Sequence, residues 1–145
     1  MLDHALDELL LAHLKTVPAL AALHGYTGQD NADHKLPALT IGTTSEPLAG
    51  SDTAFRGEVG IIVESEAHDT TAAAHGERVE AVRAALANRA AVIAGINATG
   101  RLHIYGYAPL GTEPTAGDAR FNTKLRDHIR FVCGPVLRPG IFPTH

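Results

Sequence analysis

Between Thr53 and Asn88 the hydrophobic period of the chain switches once, from two residues to about 3.6. Phe55, Val59, Ile61 and Val63 fall on one side of the alternation. Arg56, Glu58, Gly60, Ile62, Glu64 and Glu66 fall on the other. Successive side chains of a strand point to opposite faces, so this pattern predicts one long strand with an apolar and a charged face. His68-Asp69-Thr70-Thr71 follows, and Asp69, Thr70 or Thr71 can accept from the first unpaired N–H groups of a helix. Val79, Val82 and Leu86 then recur at helical spacing, padded by Ala72, Ala81 and Ala85. A narrow, Ala-padded stripe lets a helix lie close on a sheet, which places the chain among layered folds of helices on strands.

The flanking segments extend this plan. Leu2, Leu6, Leu9, Leu10, Leu14 and Val17 form the stripe of a leading helix, with Asp3, Asp7 and Glu8 towards its start and His13 and Lys15 towards its end, an order that suits the helix dipole. Pro18 ends or kinks it. Residues 36–44 read as a short strand with Pro37 at its start, where a missing N–H is tolerated. Residues 101–108 alternate Leu102, Ile104 and Gly106 with His103, Tyr105 and Tyr107. Residues 120–132 form the last long strand, Leu125, Ile129 and Phe131 facing away from Arg126, His128 and Arg130. Asp127 breaks its apolar face and marks a solvent end or an interface. Residues 25–35, 45–52 and 109–119 read as turn-rich loops, 90–98 as apolar but irregular, and 134–145 as an extended tail. The expected order is α-β-β-α-β-β. The expected fold is α+β: a mostly antiparallel four-stranded sheet with two main helices packed on one face, in a single domain over 1–145.

Composition narrows the function. A net charge of -4 with no basic cluster argues against a dedicated nucleic-acid binder, which needs clustered Lys and Arg to displace counterions. The lone cysteine, Cys133, makes no internal disulfide. Met1-Leu2-Asp3-His4 is unlike a secretory leader, and no apolar run approaches the roughly 20 residues of a membrane span, so synthesis in the cytoplasm is expected.

No segment carries a catalytic or nucleotide-binding signature. Nine histidines include no HExxH pair. His103 and His128, with Asp127 nearby, are the combination that neighbouring strands could bring together around a metal; scattered surface histidines are the plainer account. Cys133 has no obvious base, and Ser45, Ser51 and Ser65 lack the GxSxG elbow of a nucleophile. Glu58, Glu64 and Glu66 share a strand face, an arrangement that serves acid–base chemistry less often than a solvated or interface surface. No catalytic residue, cofactor or metal is therefore assigned.

The layout as a whole resembles the tail terminator, or tail completion, proteins of long-tailed bacteriophages and related tail-like particles. The resemblance rests on the leading helix, the Leu36-Pro-Ala-Leu-Thr-Ile41 strand, the acidic strand Arg56–Glu66, the Arg78–Leu86 helix and the strand over 120–132. It implies a hexameric ring at the head-proximal end of a finished tail tube, in the virion, at the head–tail interface. Such a ring ends tail polymerisation and meets the major tail tube protein on one side and the head–tail connector protein on the other. DNA passes through it without specific binding, and no membrane is involved. A heterologous ring joins two different surfaces of each subunit. The residues expected at those surfaces are Glu46, Asp52, Arg56, Gly57, Gly60, Thr112, Glu113, Asp118 and Arg120, with the Gly57/Gly60 strand as a pairing edge. Glu58, Glu64 and Glu66 would face the channel and repel DNA. The alternatives are a head completion or neck adaptor protein, and a small oligomeric metal- or ligand-binding α+β domain.

Overall fold

The computed structural model describes residues 2–28, 35–47, 54–66, 72–114 and 124–137. Helix α1 (Leu2–Leu14) leads into β1 (His24–Thr27) and β2 (Ala38–Pro47). Strand β3 (Ala54–Glu66) precedes two helices, α2 (Ala72–Ala87) and α3 (Arg89–Asn97). Strands β4 (His103–Ile104), β5 (Tyr107–Pro114) and β6 (Lys124–Leu137) complete the order. The sheet runs β1-β2-β3-β6-β4, and β5 also pairs with β6. Since β3 occupies one edge of β6, β4 and β5 lie end to end on the other, and the sheet is five strands wide. Every pairing is antiparallel except β1 with β2.

The α+β class is as expected; the sheet is mixed and five strands wide where four were expected, and three helices cover it where two were expected. Residues 24–27, of which 25–27 were expected to open a loop, form β1 in parallel register with Ala38–Ile41. Residues 107–114, split between a strand end and a loop, form β5. Strand β2 continues to Pro47 and β6 to Leu137, past the expected loop and tail starts. The irregular run 90–98 is mostly α3, whose Val92 and Ile96 are buried. In each case backbone partners across the sheet, or a second helical stripe too short to stand out, outweighed the local turn signal.

One core joins every one of these elements except β1. Leu6, Leu10 and Leu14 of α1, Ile61 of β3, Val82 of α2, Ile96 of α3 and Phe131 of β6 are among its buried members. Because every helix contributes to the same cluster, all three cover one face of the sheet. Apolar burial of this kind is worth about 25 cal/mol per Å² and is the main term holding helices to the strands. A polar contact also fastens α1: the Thr43 hydroxyl donates to the Asp7 carboxylate, both buried.

Strand β3 is central, flanked by β2 and β6 along most of its length. It is therefore not the edge that its glycines were expected to supply. Gly57 instead gives clearance under α1, where an added Cβ would meet Thr43 at 3.3 Å and Leu6 at 3.6 Å. Gly60 opens on the opposite, helix-free face, where the His128 imidazole reaches over it with Nε2 nearest. A Cβ there would come within 2.4 Å of Nε2. Gly60→Ala should displace that ring at a cost of about 1 kcal/mol in urea denaturation. His128→Ala in the same chain should recover most of the loss, giving a clear coupling in the double-mutant cycle.

No helix among the described residues is long and apolar enough to cross a membrane.

Candidate functional site: an open sheet face and an arginine-rimmed cleft

The face of the sheet opposite the helices carries most of the residues singled out from sequence. Glu46 of β2 stands opposite Arg56 of β3 in register, with a loose ion pair of 3.8 Å. Thr44, Ser45, Glu46, Arg56 and Glu58 together line a shallow polar depression of about 160 Å³. Glu58 is bound by Arg130 of β6 across the sheet. The hydrogen bond from that guanidinium, then its charge, holds the Glu58 carboxyl below the usual carboxylate range. Glu64, on the same row, is 7% exposed. The Glu58, Glu64 and Glu66 row is thus not a uniform acidic strip. One acid is paired with a cation, one is buried, and Arg56, His128 and Arg130 share the face. Thr112 and Glu113 stand opposite Ile129 and His128 in the β5–β6 register. Asp52, Asp118 and Arg120 lie outside the described residues.

The His103, His128 and Asp127 combination does not assemble. His103 pairs with Leu137 at one end of β6, whereas His128 sits nine positions back along that strand. At about 3.3 Å per residue the two are roughly 30 Å apart. Asp127 has a different partner. It lies on the helix face of β6, 3.1 Å from Nε2 of His75 on α2. Nδ1 of His75 is 2.8 Å from the Ser65 hydroxyl, to which Arg78 donates at 2.9 Å. The donor inventory orders this chain. A carboxylate accepts, so Nε2–H donates to Asp127, and in the neutral ring Nδ1 accepts the Ser65 proton. Arg78, Ser65, His75 and Asp127 thereby tie α2 to both β3 and β6.

The combination has the residue types of a nucleophile relay, but Ser65 is 1% exposed and its oxygen is already engaged by a guanidinium. A nucleophile must reach its substrate and needs donors for the developing oxyanion. The arrangement suits a structural clasp. Sequence reading missed His75, though its signal was present: it sits four residues before Val79 on the buried stripe of α2, and a buried imidazole requires partners.

Cys133 also lies in this core, and burial pushes its thiol up to about 12. The thiolate is the reactive form, so native Cys133 should be inert to a disulfide reagent at pH 8 and react fully once the chain is unfolded. Rapid modification of the native protein would contradict its burial. The sign of the pH effect follows from the same shift. The folded-state value is raised above the usual one of about 9, so stability is intact below pH 9 and falls as pH rises from there towards 12.

A second feature was not legible in advance. Where the C-terminal end of α2 passes the outer edge of the sheet, a cleft of about 520 Å³ opens between helix and strand. Leu86, Tyr107 and Phe131 form its apolar floor, and Arg83, Arg89 and Arg130 line it. Tyr107 is fixed by donating its hydroxyl to the Leu86 carbonyl and by ring contact with Phe131 at 5.3 Å. Burial raises the pKa of that hydroxyl, against the opposing charge of Arg89. The Arg89 guanidinium stacks 5.7 Å from the Tyr107 ring centre. The strand edge beside the cleft is poorly suited to adding a further strand. Pro109 has no N–H, the register shifts between Pro109 and Gly111, and Leu110 projects half-exposed. On β4, next along the edge, the Asn97 side chain occupies both backbone groups of Ile104.

No protein-family model matches this chain, and no curated protein matches it. Among solved structures it is similar to a chain of a structure described as the virion of a native gene transfer agent (GTA) particle. The TM-score is 0.62 and the identity 14%, over 91% of this chain and 94% of that one. At that identity the likeness is one of fold, and it extends over nearly the whole of both chains.

Proposed function

We propose that the protein is a structural component of a phage-like particle, and within that class a tail terminator. Its subunits join in a ring that caps the head-proximal end of a tail tube, stops polymerisation and offers the surface for head attachment. The observation that carries this reading is the fold shared over nearly its full length with a chain of a gene transfer agent virion. The sheet adds support: among the described residues helices cover one face, the other presents exposed Glu46, Arg56, Glu58 and Arg130, and the two edges differ. Two unlike surfaces on one subunit are what a heterologous ring requires. The partners are further copies of the chain, the major tail tube protein and the head–tail connector protein, with DNA passing through the centre. In this reading the protein acts in the virion by assembly and catalyses no reaction.

In this reading the open face lines the channel. Its mixed charge, with Glu58 held by Arg130, weakens the purely repulsive role first expected of the acidic row but keeps the face from binding phosphates strongly. Glu58→Lys with Glu66→Lys, leaving the buried Glu64 in place, should hinder DNA passage in particles whose rings still form; unchanged infectivity of such particles would remove the channel role. The reading itself is tested by the mass of the protein, alone and mixed with short tail tubes, by light scattering and negative-stain microscopy. A ring of about six subunits, or density on one end of the tubes, is expected. A monomer that ignores tubes would contradict it.

A further inference from the structure

We infer that the arginine-rimmed cleft receives the segment Glu46–Asp52 of a second copy of this chain, and that this contact joins neighbouring subunits. The inference rests on the ring reading above for its setting, but its evidence is separate. The cleft combines an apolar floor of Leu86, Tyr107 and Phe131 with Arg83 and Arg89, while Arg130 lines it from a strand position whose guanidinium turns to Glu58, in a chain of net charge -4. It therefore fits a ligand with an apolar centre flanked by acids. The segment Glu46-Pro47-Leu48-Ala49-Gly50-Ser51-Asp52 has that composition: Leu48 lies between two carboxylates, beside small residues that permit close approach. Glu46 is exposed on the end of β2.

The occupant is another copy because the segment does not reach the cleft of its own subunit. Pro47 pairs with Phe55, and Phe55 with Val136 of β6. The cleft lies beside Ile129, Arg130 and Phe131, about six residues back along β6. That is roughly 20 Å along the strand, before the lateral distance to the sheet edge is added. Six residues whose ends are adjacent extend to about half their contour length, roughly 12 Å. The strand edge beside the cleft adds weight to side-chain docking over strand addition, since Pro109 and the register shift impair backbone pairing. Arg83 and Arg130 also contact Glu80 and Glu58. The Arg83–Glu80 pair is exposed and weak, so an incoming carboxylate can exchange with it, whereas Arg130 keeps its Glu58 partner on the other face of the sheet.

The test uses the full chain and a fluorescent peptide covering residues 45–53. The peptide should bind the protein saturably in anisotropy titrations and weaken with added salt. Arg89→Glu should weaken it at least tenfold, and Ala87→Asp, at an exposed position on the same rim, should do likewise if Arg89→Glu fails to fold. A Leu48→Asp peptide should not bind. In the full chain, Arg89→Glu should shift the assembly towards monomer, and Asp52→Arg in the same chain should restore it. Peptide binding that depends on Arg89, in a protein that forms open oligomers but neither closed rings nor caps on tubes, would support the contact and count against the ring; a protein that stays monomeric at every concentration would overturn the contact. A ring that forms equally well with Arg89→Glu, together with a peptide that does not bind, would overturn the contact and leave the ring reading intact. Arg89-dependent capture of tube protein, with no binding of the peptide, would overturn the second copy as occupant.

Discussion

Replacing His75 with alanine should destabilise the protein by about 3 kcal/mol. The imidazole is 6% exposed and holds Ser65 on one nitrogen and Asp127 on the other. Its removal leaves a buried hydroxyl and a partly buried carboxylate without that partner. Each unsatisfied buried polar group costs about 1–3 kcal/mol, and groups in one network lose more together than pairwise sums imply. The loss would appear as a lower urea midpoint with an unchanged slope. Asp127→Asn, which keeps an acceptor for the Nε2 proton, should lose less than Asp127→Ala. Equal losses from the two would mean that the carboxamide does not stand in for the carboxylate as acceptor. A loss below about 1 kcal/mol for His75→Ala would show that water replaces the ring and that the clasp is not what seats α2.

Phe131→Ala should cost about 3–5 kcal/mol, the range for emptying a large aromatic site in a packed core. Phe131 is 2% exposed, supports the Tyr107 ring and forms part of the cleft floor. Its loss should act on two measurements at once: the denaturation midpoint falls, and the 45–53 peptide binds more weakly because the apolar floor recedes. Phe131→Leu, which keeps much of the volume, should recover most of the stability. A chain that lost stability by this amount while binding the peptide as before would place the peptide elsewhere. Disrupting the Arg83–Glu80 pair on the exposed side of α2 should change stability by no more than about 1 kcal/mol, since surface pairs contribute little.

The long strand β3, the leading helix and the stripe of α2 were legible because each repeats one period over enough residues to exclude the other. Leu6, Leu9, Leu10 and Leu14 are buried as the spacing demands, and so are Val59, Ile61 and Val63. The clasp was half legible. Asp127 broke an apolar strand face and His75 lay on an apolar helix face, two anomalies that satisfy each other across the core. Sequence order gave no reason to join them in preference to Asp127 with its neighbour His128, which points to the opposite face.

The local alternation and the class α+β were thus set by the chain itself, because hydrophobic period acts residue by residue and needs no partner. Tertiary structure alone decided the rest. Strands β1 and β5 exist because a neighbouring strand satisfies backbone groups in segments whose own residues favour turns. Gly57 and Gly60 lie in the middle of the sheet because their β6 partners, Cys133 and Arg130, pair beside them from 76 and 70 residues later in the chain. The cleft gathers Arg83, Arg89 and Arg130 from a helix, the start of the next helix and a distant strand. No spacing along the chain encodes that meeting, because it is fixed by where α2 settles on the sheet, and that is decided by the packing of the whole core.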